Sequence, residues 1–408
     1  MLYYEMKKVF VKVSNKIAII LLLVVLGIVC YLSITGVKFV NEEGKTEIGF
    51  GAINELKKEK HEWTGELTEE KIAKVIAENK RINETDEYQS EDVKKNNIAY
   101  GWKQGISDIR SLLIYSYGEF REYDYYLPDS LTVEDAGNFY KNRVLNLQEW
   151  LDTESSNQFT EDEKEFLVHQ YKSLEIPLYY EYADGWKQLF ENAPTILMIM
   201  VFVLGFLVSN VFSSEAQLKA DAIFYSSRYG RSKAILAKIK AGILITTIIY
   251  WIVMMSYSLI LFGVLGFDGA NCAIQTSMAG WKSFYNITYL QEYIIVIVGG
   301  YIGTVFIMML TMLVSAQTKS AVLAVIVPFI LVFIPSFLSG NSNNILAKLL
   351  GLLPDQLLQM NVTLAYFNLY NIGNRIIGAC EILFLIYPVG SAILYPLIYY
   401  INKKIAKK

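Results

Sequence analysis

His61 opens HEWTG (His61–Gly65), the start of a zincin HExxH motif. In that motif two histidines one helical turn apart hold zinc, and the glutamate activates water. Position 65 is Gly65, so the second ligand is missing, and the other histidine, His169, lies far along the chain. Gly44-Lys45-Thr46 ends like a phosphate-binding loop, yet Phe39 stands where the leading glycine belongs. There is no GxSxG nucleophile elbow. Cys30, Cys272 and Cys380 are widely spaced, with no CxxC pair to suggest zinc or a disulfide framework. By its residues the chain has no candidate catalytic, metal or cofactor-binding site, and it reads as no enzyme.

Charge at fixed spacing is the chemistry that remains. Between two apolar runs lies SSEAQLKADAIFYSSRYGRSKAILAKIKAG, Ser213–Gly242. Glu215–Phe224 holds neither Gly nor Pro and is rich in good helix formers, so it predicts a helix. Ser226-Ser227-Arg228-Tyr229-Gly230 breaks that helix, and Arg231-Ser232-Lys233 starts another that runs through Lys238 into the next apolar run. Glu215 paired with Arg228, Arg231 and Lys238 could hold such a segment in shape by charged hydrogen bonds. The alternative is a basic loop whose charges only set membrane orientation.

The elements that position this segment are spans. Of 408 residues, 53% are hydrophobic and 14% aromatic, which marks an integral membrane protein. A bilayer core needs about 20 apolar residues per helix. Six stretches qualify, at 17–35, 194–212, 243–265, 293–315, 321–338 and 376–400, the fifth interrupted by Pro328 and Pro335. Fifteen Lys and Arg fall on the side of both termini and of the 213–242 segment, and three (Lys282, Lys348 and Arg375) on the other side outside the large insert. This bias places both termini in the cytoplasm of a multi-pass protein of the cell membrane. Within the spans, Glu381 is expected to reach back toward Arg375.

Residues 1–16 read as a cytoplasmic amphipathic helix in contact with lipid. Leu2, Met6, Val9, Phe10 and Val13 share one face, and Glu5, Lys8 and Lys12 another. Residues 401–408 form a basic cytoplasmic tail. Residues 36–193 read as an extracellular, acidic, mainly helical domain. From Val37 to Ala193 there are 33 acidic and 19 basic residues, net −14, against net +11 elsewhere. Thr160 with Glu163 forms a capping box, and Thr68 and Thr132 are further helix starts. The aromatic clusters Tyr123–Leu127 and Tyr179–Tyr182 point to a packed core, with a sticky outer surface as the alternative. GWKQ occurs at Gly101–Gln104 and again at Gly185–Gln188, as a paired structural device or by chance. The run around Leu349–Leu353 could dip into the membrane or lie on its surface. The expected fold class is therefore an all-α polytopic membrane protein, with six transmembrane helices and a membrane domain over 194–400.

Phe212, Glu215, the Ser226-Ser227 turn, Gly230-Arg231 and Lys238 together resemble the permease subunits of ABC type-2 exporters. The amphipathic start, the six spans and the outer excursion before the last span are similar too, whereas the large insert departs from the smaller permeases. The resemblance implies an ATP-driven exporter whose 213–242 segment docks on a separate ATP-binding subunit, present in two copies. It implies a second permease, identical or related, and no cofactor on this chain, with ATP-Mg held by the partner. Glu215, Lys219, Asp221, Arg228, Tyr229, Arg231 and Lys238 would be the coupling residues. The spans, poor in charge and rich in Tyr, Ser, Thr, Phe and Met, suit an amphipathic or hydrophobic cargo such as a peptide, antibiotic or lipid-like molecule. Nothing points to nucleic acid. A rival reading is a membrane-anchored sensor or peptide-resistance protein whose acidic domain binds a cationic ligand.

Overall fold

The computed structural model describes residues 1–227, 229–338, 344–373 and 375–405. It is an all-α polytopic membrane protein. Five helices are long and apolar enough to cross a membrane: Val13–Gly36, Asp184–Gln217, Lys233–Leu265, Tyr289–Thr318 and Ala379–Lys404. The remaining expected span corresponds to a shorter apolar helix, Ala321–Leu338, which contains Pro328 and Pro335. In chain order these six are the first to sixth helices, with Ala321–Leu338 the fifth.

The second helix is the axis of the bundle and packs against the first, third, fourth and fifth. One contact with the fifth helix needs a glycine, since a Cβ on Gly205 would lie 2.5 Å from Pro328 Cγ. The first and sixth helices lie at the periphery, and the first exposes Ile17, Ile20, Leu21, Val24 and Ile28. A helix that is apolar all round and buried on one side only is suited to lipid on the other.

The second helix begins at Asp184, ten residues before the expected span, and so encloses Pro194. Proline has no N–H to offer the carbonyl four residues back. That carbonyl belongs to Phe190, and it accepts a hydrogen bond from Asn361 Nδ2 at 2.9 Å. Packing against a neighbouring segment thus repairs the break.

The insert is mainly helical, with two short antiparallel strand pairs, the hairpin of Lys38–Val40 with Thr46–Ile48 and the long-range pairing of Gly65–Glu66 with Tyr179–Tyr180. Thr68 accepts from Lys71 N to cap Glu69–Asn83, and the Thr160–Glu163 capping box opens Glu161–Lys172. Thr132 and Asp135 also form a capping box, but it opens a 3-10 turn, and the α-helix starts at Phe139. Both insert cores are completed from outside it, one by Trp281 and the other by Phe284 and Leu369. Arg143 ties the two parts further, donating to the carbonyls of Trp281 and Ser283 while lying 3.8 Å from the Tyr171 ring.

Where insert and bundle meet, Lys60 lies 2.9 Å from Asp184 and 3.1 Å from Asp108, and Lys187 lies 2.8 Å from Asp108. Burial alone would raise the Asp108 carboxyl, yet the Lys187 and Lys60 ammoniums hold it well below the usual carboxylate range. Two cations and two carboxylates neutralise one another, which makes their burial tolerable.

Several expectations change. The two GWKQ copies play different parts: Gln104 clamps the Val40 backbone from both sides, whereas Trp186 is fully buried and donates to the Asp268 carbonyl. Of the aromatic clusters, Tyr180 and Tyr182 are core, but Tyr123, Tyr125 and Tyr126 are exposed. Glu381 accepts from the Tyr285 hydroxyl at 3.2 Å, and among the described residues no ion pair joins it to Arg375, which lies in the hairpin strand Arg375–Gly378. After the apolar run, Pro354–Gln359 forms a 3-10 turn packed against the second, fourth, fifth and sixth helices, with Leu357 and Leu358 fully buried.

Candidate functional site

The second helix ends in a Schellman motif. Ala220 N donates to Glu215 O at 2.8 Å, Lys219 N donates to Ala216 O at 3.0 Å, and Lys219 takes the left-handed conformation at φ 55°. The helix expected over Glu215–Phe224 is therefore two pieces, the last turn of the second helix and the short helix Asp221–Ser226. Helix propensity favoured continuity, but the chain must reverse here to return to the third helix, and the motif supplies the reversal.

The return turn is locally determined. Ser227 Oγ donates to Phe224 O at 2.8 Å and accepts from Gly230 N at 3.1 Å. A Cβ on Gly230 would run into the Phe224 carbonyl, so a side chain is excluded at that place. The third helix then begins at Lys233.

At the base of this hairpin, Lys238 meets Glu215. Its ammonium lies 2.8 Å from both carboxylate oxygens and 2.5 Å from the Val211 carbonyl, and its side chain is 2% exposed. The rings of Phe212 and Phe224 stand 5.8 and 5.4 Å from that ammonium, positions from which ring faces attract a cation. The amino-terminal helix, Leu2–Val11, closes the cluster. Lys8 is 3.1 Å from Glu215, and Glu5 is 2.9 Å from Lys8 and 3.3 Å from Lys238. Partial burial pulls the Lys8 ammonium down, but the carboxylates of Glu5 and Glu215 outweigh it and hold the group above its ordinary value. Lys12 adds a contact of 3.3 Å to Asn210.

The amino-terminal helix thus packs on protein, through Val9, Met6 and Phe10, and contacts the first, second and third helices. Its turn into the first helix is held by Asn15 Nδ2 donating to Val9 O at 2.8 Å. Val13, expected on the same apolar face, starts the first helix instead and is exposed.

Of the residues singled out by sequence, Glu215 and Lys238 come together. Lys219 forms the helix stop with its side chain exposed. Tyr229 is exposed, with Lys233 Nζ 4.7 Å from its ring, and Arg231 is exposed beside it. Asp221 begins the short helix. Arg228 lies outside the described residues. Glu5 and Lys8 were legible only as a polar helix face. Their i,i+3 spacing shows that they share a side, but not that this side meets Glu215.

The hairpin beyond the ion cluster presents apolar surface. Leu218 and Ile223 are 78% and 76% exposed, and together with Val11 and Tyr4 they border a groove of about 780 Å³ between the hairpin and the amino-terminal helix. A buried ion pair joins the second and third helices at the base of the hairpin. A family model described as ABC-2 family transporter protein matches residues 16–400. No curated protein and no solved structure matches.

Proposed function

This chain belongs to the ABC-2 family transporter proteins and is a membrane permease component of an ABC transporter, which works with an ATP-binding subunit; from that premise we propose that it is an exporter permease driven through the 213–242 hairpin. The hairpin seats in a groove of the ATP-binding subunit, on the cytoplasmic side of the cell membrane. Two such subunits, each holding ATP-Mg, serve two permeases, identical or related. The chain itself holds no cofactor. The cargo is amphipathic or hydrophobic and passes between the permeases.

The observation that carries the reading is the pairing of Glu215 with Lys238 beneath exposed Leu218 and Ile223. Exposed apolar side chains at the tip suit a partner surface. A push on the tip is transmitted because the buried pair keeps the second and third helices from splaying. Glu215 and Lys238 are on this view positioning residues, while Leu218, Ile223, Tyr229 and Arg231 face the partner.

Co-purification from the native membrane in mild detergent tests it. A stoichiometric ATPase should accompany the wild-type chain and be lost from the double variant Leu218→Glu/Ile223→Glu, whose own thermal unfolding should be unchanged. An ATPase that stays bound to that variant, or a chain that purifies alone, would overturn the docking site.

A further inference from the structure

A cavity of about 450 Å³ lies where the insert meets the bundle, within the size range of small-molecule sites. The insert supplies Asp108 and Ser111, and the second helix supplies Lys187, Phe190 and Glu191. The start of the fourth helix adds Tyr289 and Glu292, and the helix Met360–Ala365 adds Asn361 and Leu364.

Glu292 is 7% exposed and lines this cavity, yet among the described residues no hydrogen-bond donor or cation reaches its carboxyl group. Buried carboxylates are ordinarily paired, because leaving the charge unmatched is costly. Asn361 presents a second orphan: its Nδ2 serves the Phe190 carbonyl, while its Oδ1 is buried without a donor. Both unmet groups are acceptors. The cation also lining the cavity, Lys187, is already neutralised by Asp108 at 2.8 Å and Asp184 at 3.7 Å. Glu191 adds a further negative charge. Phe190, Ile274, Met278 and Tyr289 give the wall an apolar and aromatic part, beside the hydroxyls of Thr276, Ser277 and Ser283.

We propose that this cavity binds an organic cation, a primary ammonium carried on an apolar or aromatic body, with the ammonium donating to Glu292. The assignment deepens the export reading by giving the cargo, or a ligand that regulates its passage, a positive head and an apolar tail. A ligand there touches the insert and three segments of the bundle at once, so its binding would couple the two.

Tryptamine is a suitable probe, and indole its uncharged counterpart. Calorimetric titration uses the full-length protein in nanodiscs of phosphatidylglycerol, without ATP, so that a failure here is separate from a failure of the ATPase dock. Tryptamine should bind, indole should bind far more weakly, and Glu292→Gln should weaken tryptamine by about tenfold or more, the loss of one charged hydrogen bond. Val362→Phe, at a second residue of the cavity wall, should also weaken binding, and unchanged thermal unfolding of both variants guards against a folding artefact. The headgroup of phosphatidylethanolamine carries the same ammonium. Tryptamine binding that is lost in nanodiscs of that lipid, in the wild type alone, would identify lipid as the natural source. Equal affinity for tryptamine and indole, no effect of Glu292→Gln, or no tryptamine binding in phosphatidylglycerol would each overturn the proposal.

Discussion

Lys238 and Glu215 stand 23 residues apart in the chain and 2.8 Å apart in space, closing the hairpin between the second and third helices at its base. Lys238 is the more deeply buried partner and also neutralises Glu5. The cost of removing a charge follows from burial. Taking one member from a buried pair leaves the other uncompensated.

Lys238→Ala should therefore destabilise the chain by about 3 kcal/mol, since it leaves Glu5 and Glu215 facing each other with only the half-exposed Lys8 to neutralise them. Lys8 has a side chain 50% exposed, and Lys8→Ala should cost less than about 1 kcal/mol. Unfolding of both variants in detergent measures the ranking, and a Lys8→Ala effect as large as that of Lys238→Ala would contradict it.

Lys219 adopts φ 55°, a conformation that a side chain disfavours and glycine accepts readily. Lys219→Gly should stabilise the second helix's end by about 1 kcal/mol. The check is a raised unfolding temperature with ATPase binding retained.

Asn361 and Pro194 should be coupled. Asn361→Ala strips the Phe190 carbonyl of its donor and should cost about 1–3 kcal/mol. In a Pro194→Ala background residue 194 regains its own N–H, so the same substitution should cost much less. A double-mutant cycle on thermal stability reads the coupling directly, and additive effects would show that the carbonyl finds another partner.

Glu59, in the insert helix Phe50–His61, has its carboxyl pushed up to about 7 by burial, with repulsion from Glu62 and Glu55 adding to it. Between its ordinary value of 4.5 and about 7, the folded state holds a proton that the unfolded chain has released. Stability should fall as pH rises through that window. Glu59→Gln should flatten this part of the pH profile, as followed by unfolding in detergent, and an unchanged slope would assign the pH dependence to other groups.

What local sequence determines was legible without the fold. Apolar runs of bilayer length follow from composition, and the capping box at Thr160 and the N-cap at Thr68 follow from side chains reaching backbone one turn away. For Glu215 the sequence offered three basic partners, Arg228, Arg231 and Lys238, and the hairpin brings Lys238 to it. The tertiary structure alone decided the rest. Lys8 reaches Glu215 across 207 residues, and no spacing rule predicts which helix face a peripheral helix will cover. Lys219 stops a helix that propensity would continue, because closing the hairpin outweighs a local preference of less than about 1 kcal/mol per residue. Glu292 reads in sequence as a charge at a helix start, near the membrane boundary. Only packing, which buries it beside the insert and among the described residues brings it no donor, makes it a candidate for binding. Burial and pairing depend on what surrounds a side chain, and that is set by contacts between segments far apart in the chain.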